Sequence, residues 1–243
     1  MIGQASACWL DFTGIYREQK SEQYYMDLGT VRGTCGYCDE TAAAVLRQRL
    51  LPCPLRLPAF LDNGNYHYLS LFRMEQLTEP FQLLLFDHHP DCMPAALSPS
   101  LLSCGSWVYH ALRSMPLLSS VTMFGPNAAQ LEEAVSYIPE QERRDLMPRI
   151  RLAAADTSFL PASSLPAFYS IDKDILSADE LKTNWDQGDL SADGLLQLLT
   201  ACRTQLPTAG CDICGEPEPD ADTADMEKSR GINRRLLEWS ALV

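Results

Sequence analysis

The chain has 243 residues, of which 46% are hydrophobic, and its formal net charge is −13 at pH 7. This length is sufficient for one large α/β domain with a substantial core, and we expect a single domain over residues 1–243 because the sequence has no long linker and no repeat. The acidic balance argues against a nucleic-acid-binding surface, since such surfaces are basic. The same charge favours solubility and would attract metal cations or cationic substrates.

Neither a membrane span nor a secretion signal is indicated by the sequence. No apolar stretch is long enough to cross a membrane, and residues 1–6 lack the basic segment of a signal peptide. The nine cysteines are odd in number and belong to a chain too large to need disulfides for its stability. We therefore expect a cytoplasmic protein with free thiols and no membrane partner.

Short apolar runs alternate along the chain with segments rich in helix-forming residues. The predicted strands are 7–12, 55–61, 81–85, 120–124, 149–152, 165–172 and 209–214. The predicted helices are 41–50, 66–74, 107–112, 128–144, 190–205 and 226–241. The segments predicted to be mainly loop are 16–33, 94–102 and 216–225. This alternation favours a three-layer αβα domain with a mostly parallel sheet.

Residues with the chemistry of metal ligands follow three of the predicted strands. Side chains two positions apart in an extended segment share one face, so each short acidic motif would point its ligands to one side. Ligands of parallel α/β sheets bind beyond the carboxyl ends of the strands, where these motifs lie. The candidates are Asp87, His89 and Asp91 after the 81–85 strand, Asp172 and Asp174 at the end of the 165–172 strand, and His67 after the 55–61 strand.

Four aspartates and two histidines exceed the ligands that one ion needs, and they are typical of two metal ions held side by side. An oxygen-rich set with two imidazoles fits Mn²⁺ better than Zn²⁺, although another divalent metal is compatible with it. Each aspartate alone could be an ordinary turn residue. However, three of the four histidines of the chain lie in or beside these motifs, and this clustering favours the metal site.

The motifs resemble those of the arginase/agmatinase (ureohydrolase) family, within the arginase–deacetylase fold. The family's Asp-x-His-x-Asp motif is matched by residues 87–91 and its Ser-x-Asp-x-Asp motif by residues 170–174. A glycine-containing turn precedes His67, as in the family, and the match runs in order from there to the C-terminus. The resemblance implies an arginase-like fold and assemblies of several copies. It implies one ion held by His67, Asp87, Asp91 and Asp172, and a second held by Asp87, His89, Asp172 and Asp174.

The resemblance also implies a reaction. A hydroxide that bridges two Mn²⁺ ions would attack the planar carbon of a small guanidino, amidino or amide substrate, and Asp91 would transfer its proton to the leaving nitrogen. The family's proton-shuttling histidine is absent from residues 103–106, so the nearest candidate for that role is His110. The guanidinium-binding glutamate would fall near Gly215, and the adjacent Glu216 is the candidate substrate-binding residue.

Other interpretations stay open. The departures around His110 and Glu216 are compatible with a non-catalytic metal-binding or regulatory module on the same fold. The Asp-His-His run at 87–89 also resembles the DHH phosphoesterases, which hold two Mn²⁺ ions, although Asp11 is the one aspartate near the first strand. A structural zinc site could use two Cys-x-x-Cys pairs, although one pair lies in a predicted buried strand where its cysteines would not converge easily. These pairs are Cys35/Cys38 and Cys211/Cys214.

Overall fold

A computed structural model describes residues 7–95, 98, 100–159, 161 and 163–241. In these residues the strands are β1 (Cys8–Asp11), β2 (Tyr25–Asp27), β3 (Tyr37–Cys38), β4 (Ala59–Phe60), β5 (Phe81–Phe86), β6 (Leu102–Ser103), β7 (Leu118–Phe124), β8 (Ile150–Ala153), β9 (Ala167–Asp172) and β10 (Thr208–Cys214). The α-helices are α1 (Glu40–Leu50), α2 (Leu69–Met74), α3 (Trp107–Ser114), α4 (Ala128–Ser136), α5 (Glu140–Leu146), α6 (Ala192–Gln205) and α7 (Thr223–Ala241).

Eight strands form one parallel sheet in the order β2-β1-β4-β10-β9-β5-β7-β8. At its centre β9 lies between β5 and β10, and β5 in turn pairs with β7. The short strands β3 and β6 form a separate antiparallel pair. Because all strands of the main sheet run in one direction, their carboxyl ends meet at one edge, where the ends of β4, β5, β9 and β10 are brought close together.

Helices cover both faces of this sheet. Alternate side chains of β5 enter opposite layers, with Leu83 and Leu85 in the core beneath α1 to α5, and Leu84 and Phe86 in the core beneath α6 and α7. A strand buried on both faces explains why this segment is a continuous apolar run rather than an alternating one. The predicted α/β architecture, with a mostly parallel sheet between two helical layers, is confirmed.

Several element boundaries differ from the prediction. The 128–144 helix is two helices, α4 and α5, because Pro139 lies between them and its ring cannot continue a helix. The 55–61 strand is reduced to the two residues of β4, and the edge strand β2 lies inside a segment predicted as loop. The predictions for residues 1–6 and for part of 94–102 lie outside the described residues.

The helices also bear on the expectation about membranes. The longest of them, α7, has 19 residues, but its sequence is strongly charged. Within the described parts of the chain, no helix combines the length and the apolar character that a membrane span requires.

The expectation that all cysteines are free thiols is wrong for Cys8 and Cys53. These residues form a disulfide that joins the start of β1 to the segment after α1, and both are fully buried. The other seven cysteines are free. Sequence spacing alone did not indicate this pair, because the bridge depends on how the first strand and the first helix pack together.

We expect loss of this disulfide to lower the free energy of unfolding by about 4 kcal/mol, since loop-closure entropy in the unfolded chain grows with loop length. The two cysteines are separated by 45 positions. The measurement is urea unfolding of the C8A/C53A variant beside C202A, which removes an equally buried free thiol. Alkylation of all nine cysteines in unfolded, unreduced protein would contradict the disulfide.

Candidate metal centre

The candidate ligands lie at the carboxyl edge of the sheet, on the segments that follow three strands. The central motif begins at Asp87, directly after β5, and the second begins at Asp172, the last residue of β9. His67 lies between a 3₁₀ turn at Gly64–Tyr66 and the start of α2. The topology of the sheet therefore brings together three segments that are far apart in the sequence.

His67 is surrounded by three carboxylates. Its Nδ1 atom lies 3.1 Å from Asp87 Oδ2, 3.0 Å from Asp91 Oδ2 and 3.5 Å from Asp172 Oδ2. The imidazole and these carboxylates are all buried. One nitrogen and three oxygens thus converge on a single small volume.

His89 forms a second group beside the first. Its Nδ1 atom lies 2.9 Å from Asp174 Oδ2 and 3.5 Å from Asp87 Oδ1, and its side chain is 30% exposed. Asp87 belongs to both groups, since its Oδ2 atom faces His67 and its Oδ1 atom faces His89. This shared carboxylate is the arrangement expected where two sites lie side by side.

A hydrogen-bond relay fixes the orientation of His67. Ser170 Oγ donates to Asp212 Oδ1 at 2.8 Å and lies 2.9 Å from His67 Nε2. Because the hydroxyl has only one hydrogen, it accepts from Nε2–H, and the proton is held on that nitrogen. In that tautomer the lone pair of Nδ1 would be available to a metal ion bound among the carboxylates. Such partners of metal-binding histidines set the tautomer and the ring orientation.

Replacing Ser170 with Ala is expected to weaken divalent-metal binding by about 10- to 100-fold, since His67 loses the acceptor that fixes its tautomer. The measurement is a metal titration of S170A beside T122A, which removes a buried hydroxyl on β7. Wild-type affinity in S170A would show that the relay does not position His67.

Burial and mutual repulsion raise the pKa of three of the four aspartates. Burial and the neighbouring Asp87 raise the pKa of Asp91 to about 7 and also raise that of Asp172. Burial and the Asp172 carboxylate raise the pKa of Asp174 well above its usual range. Burial also opposes ionisation of Asp87, but the contacts with His67 and His89 outweigh it and lower its pKa. A bound cation would stabilise the ionised form of these clustered and buried carboxylates.

The residues fit divalent metal ions on two further observations. Asp87 Oδ2 is buried and has no hydrogen-bond donor, so a metal ion would complete its coordination. Carboxylate oxygens with imidazole nitrogens are suited to Mn²⁺ and related ions. The donor atoms form three groups, and within each group they lie no more than 4.8 Å apart. The groups are His67 with Asp87 and Asp91, Asp87 with His89 and Asp174, and His67 with Asp172 and Cys214. The last of these includes the thiol of Cys214, which the sequence indicated only as part of a possible Cys-x-x-Cys zinc site.

A cavity of about 440 Å³ opens above the donors. Its floor includes Asp87, His89, Asp91, Asp172 and Asp174. The described residues of its walls include Tyr37, Met93, Cys104, Gln130, Glu133 and Trp185, and none of the lining residues is a lysine or an arginine. The cavity therefore combines an acidic floor with an apolar and acidic wall.

Trp107 supports the site in a way that the sequence did not indicate. Its Nε1–H donates to Asp91 Oδ2 at 2.6 Å, and its ring lies 4.9 Å from the ring of His67. Asp91 has a backbone φ of +46°, in the left-handed region that residues other than glycine seldom adopt. The indole thus holds a carboxylate whose backbone is strained at the site. The only sequence signal was a tryptophan in an apolar helix, where its N–H needs a partner.

Two predicted site residues lie outside both the cavity lining and the donor groups, and the first is His110. Its Nε2 atom is 3.3 Å from the carbonyl oxygen of Leu101, and burial lowers its pKa. It is not among the residues that line the cavity. These contacts disfavour the predicted catalytic role of His110, because its ring is bound to a neighbouring loop.

Glu216 is the second predicted site residue that lies outside the cavity lining and the donor groups. Its Oε1 atom lies 2.8 Å from Lys173 Nζ and accepts hydrogen bonds from Tyr16 and Asn233 at 2.8 and 2.7 Å, while Ser229 donates to Oε2. Both oxygens are occupied and the side chain is buried. This network disfavours the predicted substrate-binding role of Glu216. Burial raises the pKa of Glu216, but attraction to Lys173 outweighs burial and lowers it.

Gly215 explains why no glutamate occupies the position that the resemblance indicates. Its φ is +81°, and a Cβ atom there would lie 2.3 Å from Asp172 Oδ1 and 2.6 Å from the amide nitrogen of Lys173. Only glycine fits this close approach, because any side chain would displace the Asp172 carboxylate.

The geometry also bears on two alternative interpretations. Asp11, which a phosphoesterase site would require, instead accepts hydrogen bonds from Gly14 N and Tyr25 Oη, each at 2.7 Å. Cys211 and Cys214 enter the cores on opposite faces of β10, so the two thiols do not converge on one ion. These contacts disfavour the phosphoesterase reading and the Cys-x-x-Cys zinc site.

The architecture of this chain is shared with known proteins. No protein-family model matches the chain. An uncharacterized protein of Thermotoga maritima is 30% identical over 231 residues, which are 94% of this chain and 86% of that protein. Among solved structures, proclavaminate amidino hydrolase from Streptomyces clavuligerus has a TM-score of 0.60 at 16% identity, with 84% of this chain and 72% of that one covered.

Arginase from Medicago truncatula has a TM-score of 0.61 at 18% identity, covering 84% of this chain and 66% of that arginase. Identities this low show a shared fold, and the arginase-like fold predicted from the sequence motifs is confirmed. The chain spans about two thirds of the length of the arginase, so the likeness does not extend over the whole of that enzyme.

Proposed function

We propose that this chain, which belongs to the same family as the uncharacterized Thermotoga maritima protein and has the fold of arginase and proclavaminate amidino hydrolase, hydrolyses a nonpeptide C–N bond with two Mn²⁺ ions. The observation that carries the proposal is the pair of donor groups that share Asp87 at the floor of an open cavity. One of the two solved structures is by name an amidino hydrolase, and the other is an arginase.

In this proposal one ion is held by His67, Asp87, Asp91 and Asp172, and the other by Asp87, His89, Asp172 and Asp174. When bound, the two ions would supply a water with a pKa near neutrality and stabilise negative charge that develops on the substrate. The protein residues supply the rest of the chemistry. Asp91 accepts the proton of the attacking water and returns it to the leaving nitrogen, and Trp107 Nε1–H keeps that carboxylate in place.

The lining of the cavity favours a cationic substrate with an apolar remainder. Glu133 on the wall would attract a guanidinium or amidinium group, while the charge of the floor aspartates is balanced by the two ions. Tyr37, Met93 and Trp185 are exposed by 45%, 38% and 45% and would contact an aliphatic or aromatic substituent. Since no lysine or arginine lines the described wall, a substrate carboxylate would find no counter-charge there. We therefore favour guanidino and amidino compounds without a carboxylate over amino acids such as arginine.

A non-catalytic metal-binding module on the same fold is the second candidate. The observation in its favour is that neither His110 nor Glu216 reaches the cavity, and Gly215 cannot be replaced by a glutamate without displacing Asp172. The two candidates share the metal centre and differ in whether a substrate is turned over.

The test is a screen of the Mn²⁺-loaded protein for release of ammonia or urea. Alkyl and aryl guanidines and amidines would be compared with amides and with arginine, which carries a carboxylate. We expect turnover of at least one cationic compound without a carboxylate, and loss of that turnover in the D87N variant. Binding of Mn²⁺ without any turnover would leave the binding module as the function.

A further inference from the structure

Cys214 is the feature of the site that the proposed function does not use. It is the last residue of β10 and is completely buried. Its Sγ atom lies 3.0 Å from Asp172 Oδ2. His67, Asp172 and Cys214 each offer a donor atom, and these atoms lie within 4.8 Å of one another.

We propose that Cys214 is a thiolate ligand of the ion held by His67 and Asp172. The proposal rests on the metal centre of the proposed function, but not on turnover of a substrate. The thiol donates a hydrogen bond to Asp172 Oδ2 in the structure. When the ion binds, the thiol loses its proton to solvent and the sulfur donates an electron pair to the metal, as coordinated cysteines do.

The position of Cys214 distinguishes it from a small core residue. Cys211 lies three residues earlier on the same strand and enters the core on the other face of the sheet, beneath α6 and α7. Cys214 instead packs on the face that carries His67, and its sulfur contacts a carboxylate that is already a candidate ligand. The same strand therefore offers both a candidate ligand and a control thiol with matched burial.

A thiolate changes which metal the site prefers. Carboxylate and imidazole ligands suit Mn²⁺, whereas a thiolate shifts preference toward Zn²⁺, Co²⁺ and other softer ions. The two positions would then differ, since the group around His89 contains only imidazole and carboxylate donors. We expect the position at His67 to discriminate against Mn²⁺ more strongly than the position at His89.

The test uses Co²⁺, whose visible absorption reports binding and whose near-ultraviolet sulfur-to-cobalt charge-transfer band reports a thiolate ligand. Wild-type protein and C211S are expected to show both features, and C214S is expected to keep the visible absorption while losing the charge-transfer band. Competition titrations should show the preference for Co²⁺ over Mn²⁺ falling by at least about tenfold in C214S.

The wild-type spectrum can overturn the proposal even if C214S does not fold. Cobalt bound without a charge-transfer band would overturn the thiolate assignment and leave the proposed function intact. A band that persists in C214S would also overturn it. Failure of wild-type protein to bind cobalt or manganese would overturn both the thiolate assignment and the metal centre of the proposed function.

Discussion

The D87N variant is expected to lose tight binding of both metal ions, with affinity lowered by at least about 100-fold at each position. The reason is that Asp87 directs Oδ2 to the group around His67 and Oδ1 to the group around His89. An asparagine keeps the size of the side chain but offers only one oxygen and no charge. The measurement is calorimetric titration of the metal-free variant with Mn²⁺.

Two further variants make this result specific. D174A should keep about one ion per chain, since Asp174 belongs to one of the two groups only. D11N is the matched control, because Asp11 is a buried carboxylate at the end of β1 that bonds Gly14 and Tyr25 and does not join the cluster. Binding of both ions by D87N with wild-type affinity would show that Asp87 does not bridge them.

The E216A variant is expected to lose about 3–5 kcal/mol of unfolding free energy, because it leaves the buried ammonium of Lys173 without its partner. The side chains of Lys173 and Glu216 are 0% and 2% exposed, and their charged atoms are 2.8 Å apart. Lys173 also donates to Ser229 and Asn233 of α7. These hydrogen bonds therefore hold α7 against the turn that carries Asp172 and Asp174. Urea unfolding measures the loss.

The control for this prediction is E218A, which removes an exposed acid two residues away. Replacing both partners, as in K173M/E216M, should restore much of the stability lost in E216A, since no unpaired charge is left buried. A substrate-binding glutamate would give a different pattern, with activity lost and stability kept. Wild-type stability of E216A would contradict the network that the structure assigns to this residue.

The sequence predicted the convergence of the acidic motifs because that outcome depends only on topology. Strands that alternate with helices run parallel, and the residues after β5 and β9 must then meet at one edge. The extended conformation expected within each motif is not what brings these residues together. Residues Lys173–Ile175 form a 3₁₀ turn in which Asp174 N–H donates to Asp172 Oδ1, and His89 N–H donates to Asp87 Oδ1. Strand β4 is shorter than predicted, with two residues, but the turn after it still places His67 at the same edge of the sheet.

The supporting contacts could not be predicted, because they join residues far apart in the chain. Ser170 and Asp212 are 42 positions apart, and their hydrogen bond requires the pairing of β9 with β10. The glutamate of this chain lies one residue after the position that the resemblance indicates. A shift of one residue changes whether a side chain points into the cavity or beneath it. The positive φ at Gly215, visible only in the structure, settles that direction.

The disulfide could not be predicted from the sequence either, for a different reason. Cysteine number and chain length describe what a protein of this size needs, and they carry no information about which thiols become neighbours. Cys8 and Cys53 meet because β1 and the segment after α1 pack together, with the Cα atoms 6.0 Å apart.

The most direct test of the metal centre is the metal content of wild-type protein after incubation with Mn²⁺ and removal of free ions by desalting. Elemental analysis should find about two ions per chain, as a dinuclear site requires. A value near zero, from protein whose fold is intact by circular dichroism, would contradict the central claim that the two donor groups sharing Asp87 bind a pair of metal ions.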